Sequence, residues 1–188
     1  MDLARQGNRL LCRFFFVRHS EPDYSMFDQH DNPRLYAGFG RDLAPLTEKG
    51  RALAQKVASS PVFAQAQVVI ASSVTRALET ATYIAQAQQL PLLVEPFFHE
   101  WRPDMTGQNA SQDEAVLAHR LFLENSGAVP ESSPVRYETA AEMRERFLQA
   151  LEKYKAYDRI VIVCHGMLIR QFVPKETIAY CEILEYTL

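Results

Sequence analysis

The stretch Phe14-Phe15-Phe16-Val17-Arg18-His19-Ser20-Glu21-Pro22 places a run of strand-forming residues directly before an arginine and a histidine. Near the other end of the chain, Arg159-Ile160-Val161-Ile162-Val163-Cys164-His165-Gly166 repeats the pattern with β-branched residues. Such runs are typical of strands in a parallel sheet that helices cover on both faces. Because ligands bind at the carboxyl ends of these strands, we expect His19 and His165 to meet at one edge of the sheet.

The composition indicates a soluble globular protein. The 188 residues are 47% hydrophobic and 23% charged, which fits one domain over residues 1–188 with a sizeable core. The net charge of −3 gives no sign of a nucleic-acid partner. The apolar run Leu10–Val17 is interrupted by Arg13 and is too short for a signal peptide or a membrane span. We therefore expect a cytoplasmic protein.

The three cysteines, Cys12, Cys164 and Cys181, lie in apolar contexts and form no Cys-x-x-Cys pair. A disulfide framework or a zinc cluster is not expected from an odd number of such residues. Reduced, buried thiols agree with a cytoplasmic location.

Strands and helices alternate along the chain. The strands are predicted at Leu10–Val17, Val68–Ala71, Leu92–Val94, the run that ends at Cys164, and Ile178–Leu188. Helices are predicted after the caps Thr47, Ser111 and Thr139, directly after the strand end at Ser72-Ser73, and from Gly166. Alternation of this kind predicts a three-layer α/β/α sandwich with a mainly parallel sheet.

Two irregular segments follow predicted strand ends. Glu21–Arg41 has no hydrophobic period and begins directly after His19, so it is a candidate substrate loop. A surface excursion that aromatic side chains hold in place is an equally good interpretation of this segment. Phe97–Asn109 is the second irregular segment, and it contains His99-Glu100-Trp101-Arg102. Within it we expect Trp101 to line or plug the pocket mouth and His99 to be a loop residue.

Arg18 and Arg76 both begin segments that follow a strand, so their guanidinium groups can converge. Two forked, permanently charged donors suit a phosphate or a carboxylate. Amide groups of the helix that follows Ser72 would add to an anion site. The positive field disfavours a cation, and there is no His-Glu-x-x-His motif, so no metal site is predicted.

An imidazole beside guanidinium groups is held in its neutral form, which leaves a nucleophilic ring nitrogen. The arginines would neutralise phosphoryl oxygens as charge develops on them. The leaving alkoxide needs a proton, and Glu100 is the candidate donor. A surface or salt-bridged carboxylate is the alternative interpretation of Glu100.

Several motifs together resemble the histidine phosphatase superfamily, the phosphoglycerate mutase-like proteins. Arg18-His19-Ser20-Glu21 is similar to the Arg-His-Gly signature, and the segment 72–81 is similar to the second-arginine motif. Cys164-His165-Gly166 resembles the second-histidine motif. Leu46-Thr47-Glu48-Lys49-Gly50 and Tyr180-Cys181-Glu182-Ile183 are further landmarks, so the resemblance extends from about residue 14 to residue 183 in the family's order.

The resemblance implies a phosphohistidine on His19, with Arg18, Arg76 and His165 holding the phosphoryl group. It implies Glu100 as the proton donor, and neither a cofactor nor a metal.

Two positions depart from the family pattern. Ser20 replaces the signature glycine, so its hydroxyl either reaches the phosphate or fills space. Ser25 falls where many members carry a phosphate-binding asparagine, and it is retained as a candidate phosphate contact.

Three functions remain open at this stage. The first is a phosphatase that hydrolyses a small phosphomonoester, and we expect this one. The second is a phosphoglycerate mutase-like phosphotransferase, and the third is a non-catalytic phosphate-binding protein. A small phosphorylated substrate is the expected partner, without nucleic acid or membrane. The oligomeric state, a homodimer included, is left open.

Overall fold

The computed structural model describes residues 12–25, 39–108 and 110–188. Five strands form one sheet: β1 (Arg13–Arg18), β2 (Val68–Ser72), β3 (Leu92–Glu95), β4 (Arg159–Cys164) and β5 (Ile183–Thr187). Six α-helices are described: α1 (Phe39–Asp42), α2 (Glu48–Ala58), α3 (Thr75–Gln88), α4 (Gln112–Glu124), α5 (Ala140–Leu151) and α6 (Gly166–Ile169). Short 3₁₀ turns lie at Pro61–Phe63, Pro96–Phe98 and Glu152–Tyr154.

The strand order is β3-β2-β4-β1-β5, and only β5 runs antiparallel to its neighbour. Alternate side chains of the central strands enter two separate cores. Phe14 and Phe16 join the core that α5 covers, whereas Phe15 and Val17 join the core that α3 covers. The predicted α/β sandwich with a mainly parallel sheet is confirmed.

The helix caps follow the sequence. Thr47 accepts a hydrogen bond from the Gly50 amide at the start of α2. Ser111 and Thr139 each form a complete capping box at the starts of α4 and α5. These local bonds satisfy amide groups that the first helical turn leaves unpaired.

The prediction of a strand over Ile178–Leu188 is wrong at its start, because the observed strand begins five residues later. The strand β5 starts at Ile183, and Cys181 has a left-handed φ of 58°. The Cys181 amide donates to the Arg18 carbonyl at 3.0 Å, which turns the chain before β5. Residues 178–182 therefore pass over the end of β1 instead of extending the sheet.

Some sequence predictions fall outside the described residues. They are the loose end Met1–Arg9, the start of the first predicted strand at Leu10, and most of the candidate substrate loop Glu21–Arg41. Of that loop, residues 21–25 and 39–41 are described, and the last three belong to α1.

Candidate active site

The sheet register brings the two histidines together. Arg18 lies opposite Cys164 in the parallel pair β1 and β4, so His19 and His165 leave adjacent strands at the same level. Their ring centroids are 5.2 Å apart. Arg76 reaches the same point from the first turn of α3, which follows the neighbouring strand β2. The predicted meeting of the two histidines at one sheet edge is thus observed.

His19 is 4% exposed, and its hydrogen bonds fix its tautomer. Nδ1 lies 2.7 Å from the Ser20 carbonyl oxygen, which only accepts, so Nδ1 carries the proton. Nε2 therefore holds the lone pair, and it accepts from Arg76 Nε at 3.2 Å. A nucleophilic imidazole requires an unprotonated ring nitrogen of this kind.

His165 is fully buried and has the opposite tautomer. Its Nδ1 lies 3.4 Å from Arg76 Nη2, which only donates. The proton is therefore on Nε2, which donates to Ser72 Oγ at 2.9 Å. Arg76 also donates from Nη1 to the Arg41 carbonyl at 3.0 Å, so all three of its nitrogens are engaged.

Burial lowers the pKa of His19 well below its ordinary value, and the Arg76 charge lowers it further. The same two causes, in the same order, lower the pKa of His165. Both imidazoles are therefore neutral at pH 7, as expected for rings that share a buried site with a guanidinium group.

Arg18 lies on the other side of His19. Its Nη1 donates to the Ile178 carbonyl, and its guanidinium carbon lies 4.4 Å from the centre of the Tyr180 ring. Its buried Nε donates to no acceptor within the described part of the chain. A Cβ added at Gly166 would lie 3.6 Å from this Nε, so glycine keeps the approach to it open.

Glu100 lines the same cleft as Arg18, His19 and Arg76. Its carboxylate accepts from the Trp101 amide at 2.9 Å and from the Met167 amide at 3.4 Å. Met167 belongs to α6, which starts directly after His165. The carboxylate is thus held at the helix that the second histidine precedes, and the surface interpretation does not describe its position.

The two serines are placed differently from the other candidate residues. Ser20 is buried, and its hydroxyl donates to the Gly50 carbonyl at 2.7 Å instead of lining the cleft. Ser25 is exposed, and its hydroxyl donates to Asp23 Oδ1 at 2.6 Å. Neither serine hydroxyl is therefore directed at the two histidines, and Ser20 contacts His19 through its backbone carbonyl alone among the described residues.

The outer wall of the cleft contains residues to which the sequence analysis gave no individual role, although Tyr24 and Arg41 belong to the candidate substrate loop Glu21–Arg41. The cleft has a volume of about 460 Å³, and its outer lining includes Tyr24, Arg41, Asp42, Arg102, Val116, His119 and Tyr180. His119 is an exposed residue of α4, and its ring centroid lies 5.9 Å from that of Trp101 at the wall of the cleft. No local pattern marks these residues, because separate helices and loops bring them together.

His99 lies in a loop, as expected. It is partly buried, and its Nδ1 donates to the Glu100 carbonyl at 2.7 Å. Burial lowers its pKa to about 4, and the Arg146 charge contributes. His99 therefore supports the Glu100 backbone as a neutral donor. Trp101 both lines the cleft and fills space behind it, since it is only 8% exposed.

The described residues contain no group of three or more His, Cys, Asp or Glu side chains arranged to hold a metal ion. No described helix is long and apolar enough to cross a membrane. The three cysteines are free.

The chain belongs to the histidine phosphatase superfamily (branch 1), whose family model matches residues 14–176. Among curated proteins, it is similar to the adenosylcobalamin/alpha-ribazole phosphatase of Escherichia coli strain K12. The two are 25% identical over 168 residues, which cover 87% of this chain and 78% of the relative.

Solved structures of low identity share the fold. A phosphoglycerate mutase from Bacillus anthracis matches with a TM-score of 0.66 at 14% identity, over 95% of this chain and 88% of the other. A mycobacterial glucosyl-3-phosphoglycerate phosphatase, solved as a complex with VO3, matches with a TM-score of 0.64 at 17% identity. The coverage is 93% of this chain and 90% of that one.

Proposed function

We propose that this chain is a phosphatase that hydrolyses a small phosphomonoester through a phosphohistidine on His19, with Glu100 as the proton donor. The observation that carries the proposal is the tautomer of His19. Its Nδ1–H is committed to the Ser20 carbonyl, and the lone pair of Nε2 lies beside Arg76. A neutral nucleophile next to a forked cation suits attack on a phosphoryl group.

In the first step, Nε2 attacks phosphorus and the bond to the substrate oxygen breaks. Arg18 and Arg76 neutralise the phosphoryl oxygens, and Glu100 protonates the leaving alkoxide. A bound phosphoryl dianion also favours protonated His165, whose Nδ1–H then donates to a phosphoryl oxygen. In the second step, Glu100 takes a proton from a water molecule whose oxygen attacks phosphorus. The bond between phosphorus and Nε2 breaks, His19 is regenerated and inorganic phosphate leaves.

The curated relative from Escherichia coli is named as a phosphatase, and this supports hydrolysis over transfer. The cleft volume of about 460 Å³ leaves room for the alcohol part of the substrate beside the phosphoryl group. Two guanidinium groups supply the positive charge, and the proposed reaction uses no metal. We place it in the cytoplasm, where phosphorylated metabolites occur.

The decisive experiment traps the intermediate. Purified enzyme is mixed with a radiolabelled phosphomonoester, quenched in alkali and analysed by peptide mass spectrometry. We expect an alkali-stable, acid-labile phosphate on the peptide that contains His19. A label on another residue, or turnover without any label, would overturn the mechanism.

Adding an alcohol acceptor distinguishes hydrolysis from transfer. For a phosphatase, inorganic phosphate stays the main product when glycerol or 3-phosphoglycerate is present. A new phosphorylated product in comparable yield would identify a phosphotransferase instead. A screen of phosphorylated metabolites under the same conditions then identifies the substrate.

A further inference from the structure

A buried ion pair lies behind the loop that carries Glu100. Arg146 projects from α5, and Glu138 precedes that helix. Arg146 Nε lies 2.5 Å from Glu138 Oε1, and Arg146 Nη2 lies 3.0 Å from Glu138 Oε2. The two side chains are 12% and 3% exposed. Neither residue lines the cleft, so the proposed reaction does not use them directly.

The ion pair holds the loop on both sides of Glu100. Arg146 Nη1 donates to the Phe97 carbonyl, and Nη2 reaches the Glu100 carbonyl at 3.5 Å. Glu138 Oε2 accepts from the Arg102 amide at 3.2 Å. All three guanidinium nitrogens of Arg146 are therefore engaged, as only a planar fork allows.

The backbone of Glu138 adds two more bonds to the same loop. Its amide donates to the Arg102 carbonyl at 2.9 Å, and its carbonyl accepts from the Trp101 indole N–H at 2.7 Å. The residues before, at and after Glu100 are thus fixed against the start of α5.

The position of the loop backbone sets the direction of the Glu100 side chain. The hydrogen bonds of its carboxylate within the described residues go to two backbone amides, those of Trp101 and Met167. A shift of the loop would move the carboxyl group away from the leaving oxygen. Misplacement of a reacting group by about 1 Å can reduce the rate about 100-fold.

We propose that Arg146 and Glu138 are positioning residues that aim Glu100 at the leaving oxygen of the substrate. The proposal rests on the role of Glu100 as proton donor given above. A buried ion pair is a poor source of stability, because desolvation offsets the attraction between the charges. Placement of the catalytic loop accounts for the pair better than stabilisation of the fold does.

The test compares two phosphate esters on the same enzyme preparation. p-Nitrophenolate leaves without a proton, whereas the alkoxide of glycerol 2-phosphate needs one, so loss of donor placement affects only the alkyl ester. The ratio of the two rates does not depend on the fraction of enzyme that is folded. For Arg146→Lys, which keeps the charge but loses the fork, we expect the alkyl rate to fall about 10- to 100-fold, with the aryl rate within about threefold.

Arg136→Lys is the matched control. Arg136 also pairs with a glutamate, Glu142, and donates to a backbone carbonyl, but it is 45% exposed and does not touch residues 97–102. Its substitution should leave both rates unchanged. Glu138→Gln is the second test variant. If Arg146→Lys gives no soluble enzyme, the ratio of alkyl to aryl rate in Glu138→Gln tests the positioning role instead.

Glu100→Gln separates failure of this inference from failure of the proposed function. If Glu100 is the donor, Glu100→Gln loses alkyl activity about 10²- to 10⁴-fold and much less aryl activity. Adding Arg146→Lys to Glu100→Gln should then cause no further alkyl loss. If Glu100→Gln reduces the rates on both esters equally, Glu100 is not the proton donor. Two results would overturn only the positioning role. In one, Glu100→Gln reduces mainly the alkyl rate, whereas Arg146→Lys reduces both rates equally. In the other, the alkyl losses of the two single variants add in the double variant.

Discussion

The two ends of the cleft are built in different ways. His19 and Arg76 line the inner end and are at most 5% exposed, and fully buried His165 lies beside them. Hydrogen bonds fix all three at the carboxyl end of the sheet. At the outer end, residues such as Val116, which is 64% exposed, come from separate helices and loops. The sheet register sets the inner geometry, whereas helix packing sets the outer one. Substitutions at the two ends should therefore affect different kinetic constants.

His19→Ala should have the largest effect, because it removes the proposed nucleophile while the surrounding strands stay packed. We expect phosphomonoester turnover to fall to the assay background, with a circular dichroism spectrum like that of the wild type. Near-normal activity of His19→Ala would show that His19 is not the nucleophile.

Arg76→Lys should be the next most severe change. Arg76 uses Nε, Nη1 and Nη2 toward three different partners, and a single ammonium group cannot replace that fork. We expect a loss of about 2–3 kcal/mol of transition-state stabilisation, measured as kcat/KM. Vanadate should also protect the variant less against thermal unfolding than it protects the wild type.

Arg51→Lys is the control for this substitution, since Arg51 pairs with Glu79 on the outside of α3 and is 44% exposed. Unchanged kinetics in Arg76→Lys would exclude Arg76 from phosphoryl binding.

The inner end could be predicted from sequence because its signals are local. An apolar strand that stops at His19, a second that stops at His165, and Arg76 in the first turn after a third strand are each visible within about ten residues. The topology of a parallel sheet then brings them together. Loop 97–102 was located in the same way, directly after β3.

The ion pair behind Glu100 and the outer wall of the cleft could not be predicted from sequence, because both depend on tertiary packing. Arg146 and Glu138 are eight positions apart, and their link to Glu100 exists only when α5 packs behind the loop. Tyr180 was placed in a strand, but the left-handed turn at Cys181 lays its ring against Arg18 and His19. Neither arrangement leaves a periodic pattern in the sequence.

The buried histidines should make stability depend on pH. His19, His165 and His99 all have lowered pKa values in the folded state, whereas 6.5 is the ordinary value in an unfolded chain. As pH falls below 6.5, the unfolded chain binds protons that the native protein does not, so stability falls. We expect the urea midpoint to fall steadily between about pH 7 and 5.5 in phosphate-free buffer.

His99→Gln sharpens this test, because the pKa of His99 is about 4 and this residue lies behind the site. The variant should show a shallower fall of stability over the same pH range. A slope equal to that of the wild type would mean that His99 is not held neutral in the folded protein.

An outer-wall substitution should change binding more than chemistry. His119 lies beside Trp101 on the wall of the cleft. On the best substrate from the metabolite screen, we expect His119→Ala to raise KM about 3- to 10-fold with little change in kcat, as for a contact made equally in the ground and transition states. A large fall in kcat would show that His119 takes part in the reaction. The outer wall would then affect chemistry as the inner end does.

The smallest effect on activity is expected for Ser20→Gly, although Ser20 directly follows the nucleophile. Its hydroxyl donates to the Gly50 carbonyl, and its amide donates to Thr80 Oγ1 at 2.9 Å, so it ties the end of β1 to α2 and α3. A Cβ at Gly50 would lie 2.4 Å from the Glu21 carbonyl oxygen, which shows how closely these segments approach. Loss of the hydroxyl should therefore reduce stability instead of catalysis.

For Ser20→Gly we expect about 0.5–1.5 kcal/mol less stability in urea unfolding, the usual value of one hydrogen bond, and kcat/KM within about threefold of the wild type. Ser25→Ala is the control, because that exposed hydroxyl donates to neighbouring Asp23 and its loss should affect neither quantity. Ser20, which replaces the signature glycine, would then stabilise the fold beside the two histidines without taking part in the reaction. A fall in activity of 100-fold, about 2.7 kcal/mol, with stability unchanged would instead show that the Ser20 hydroxyl takes part in the reaction.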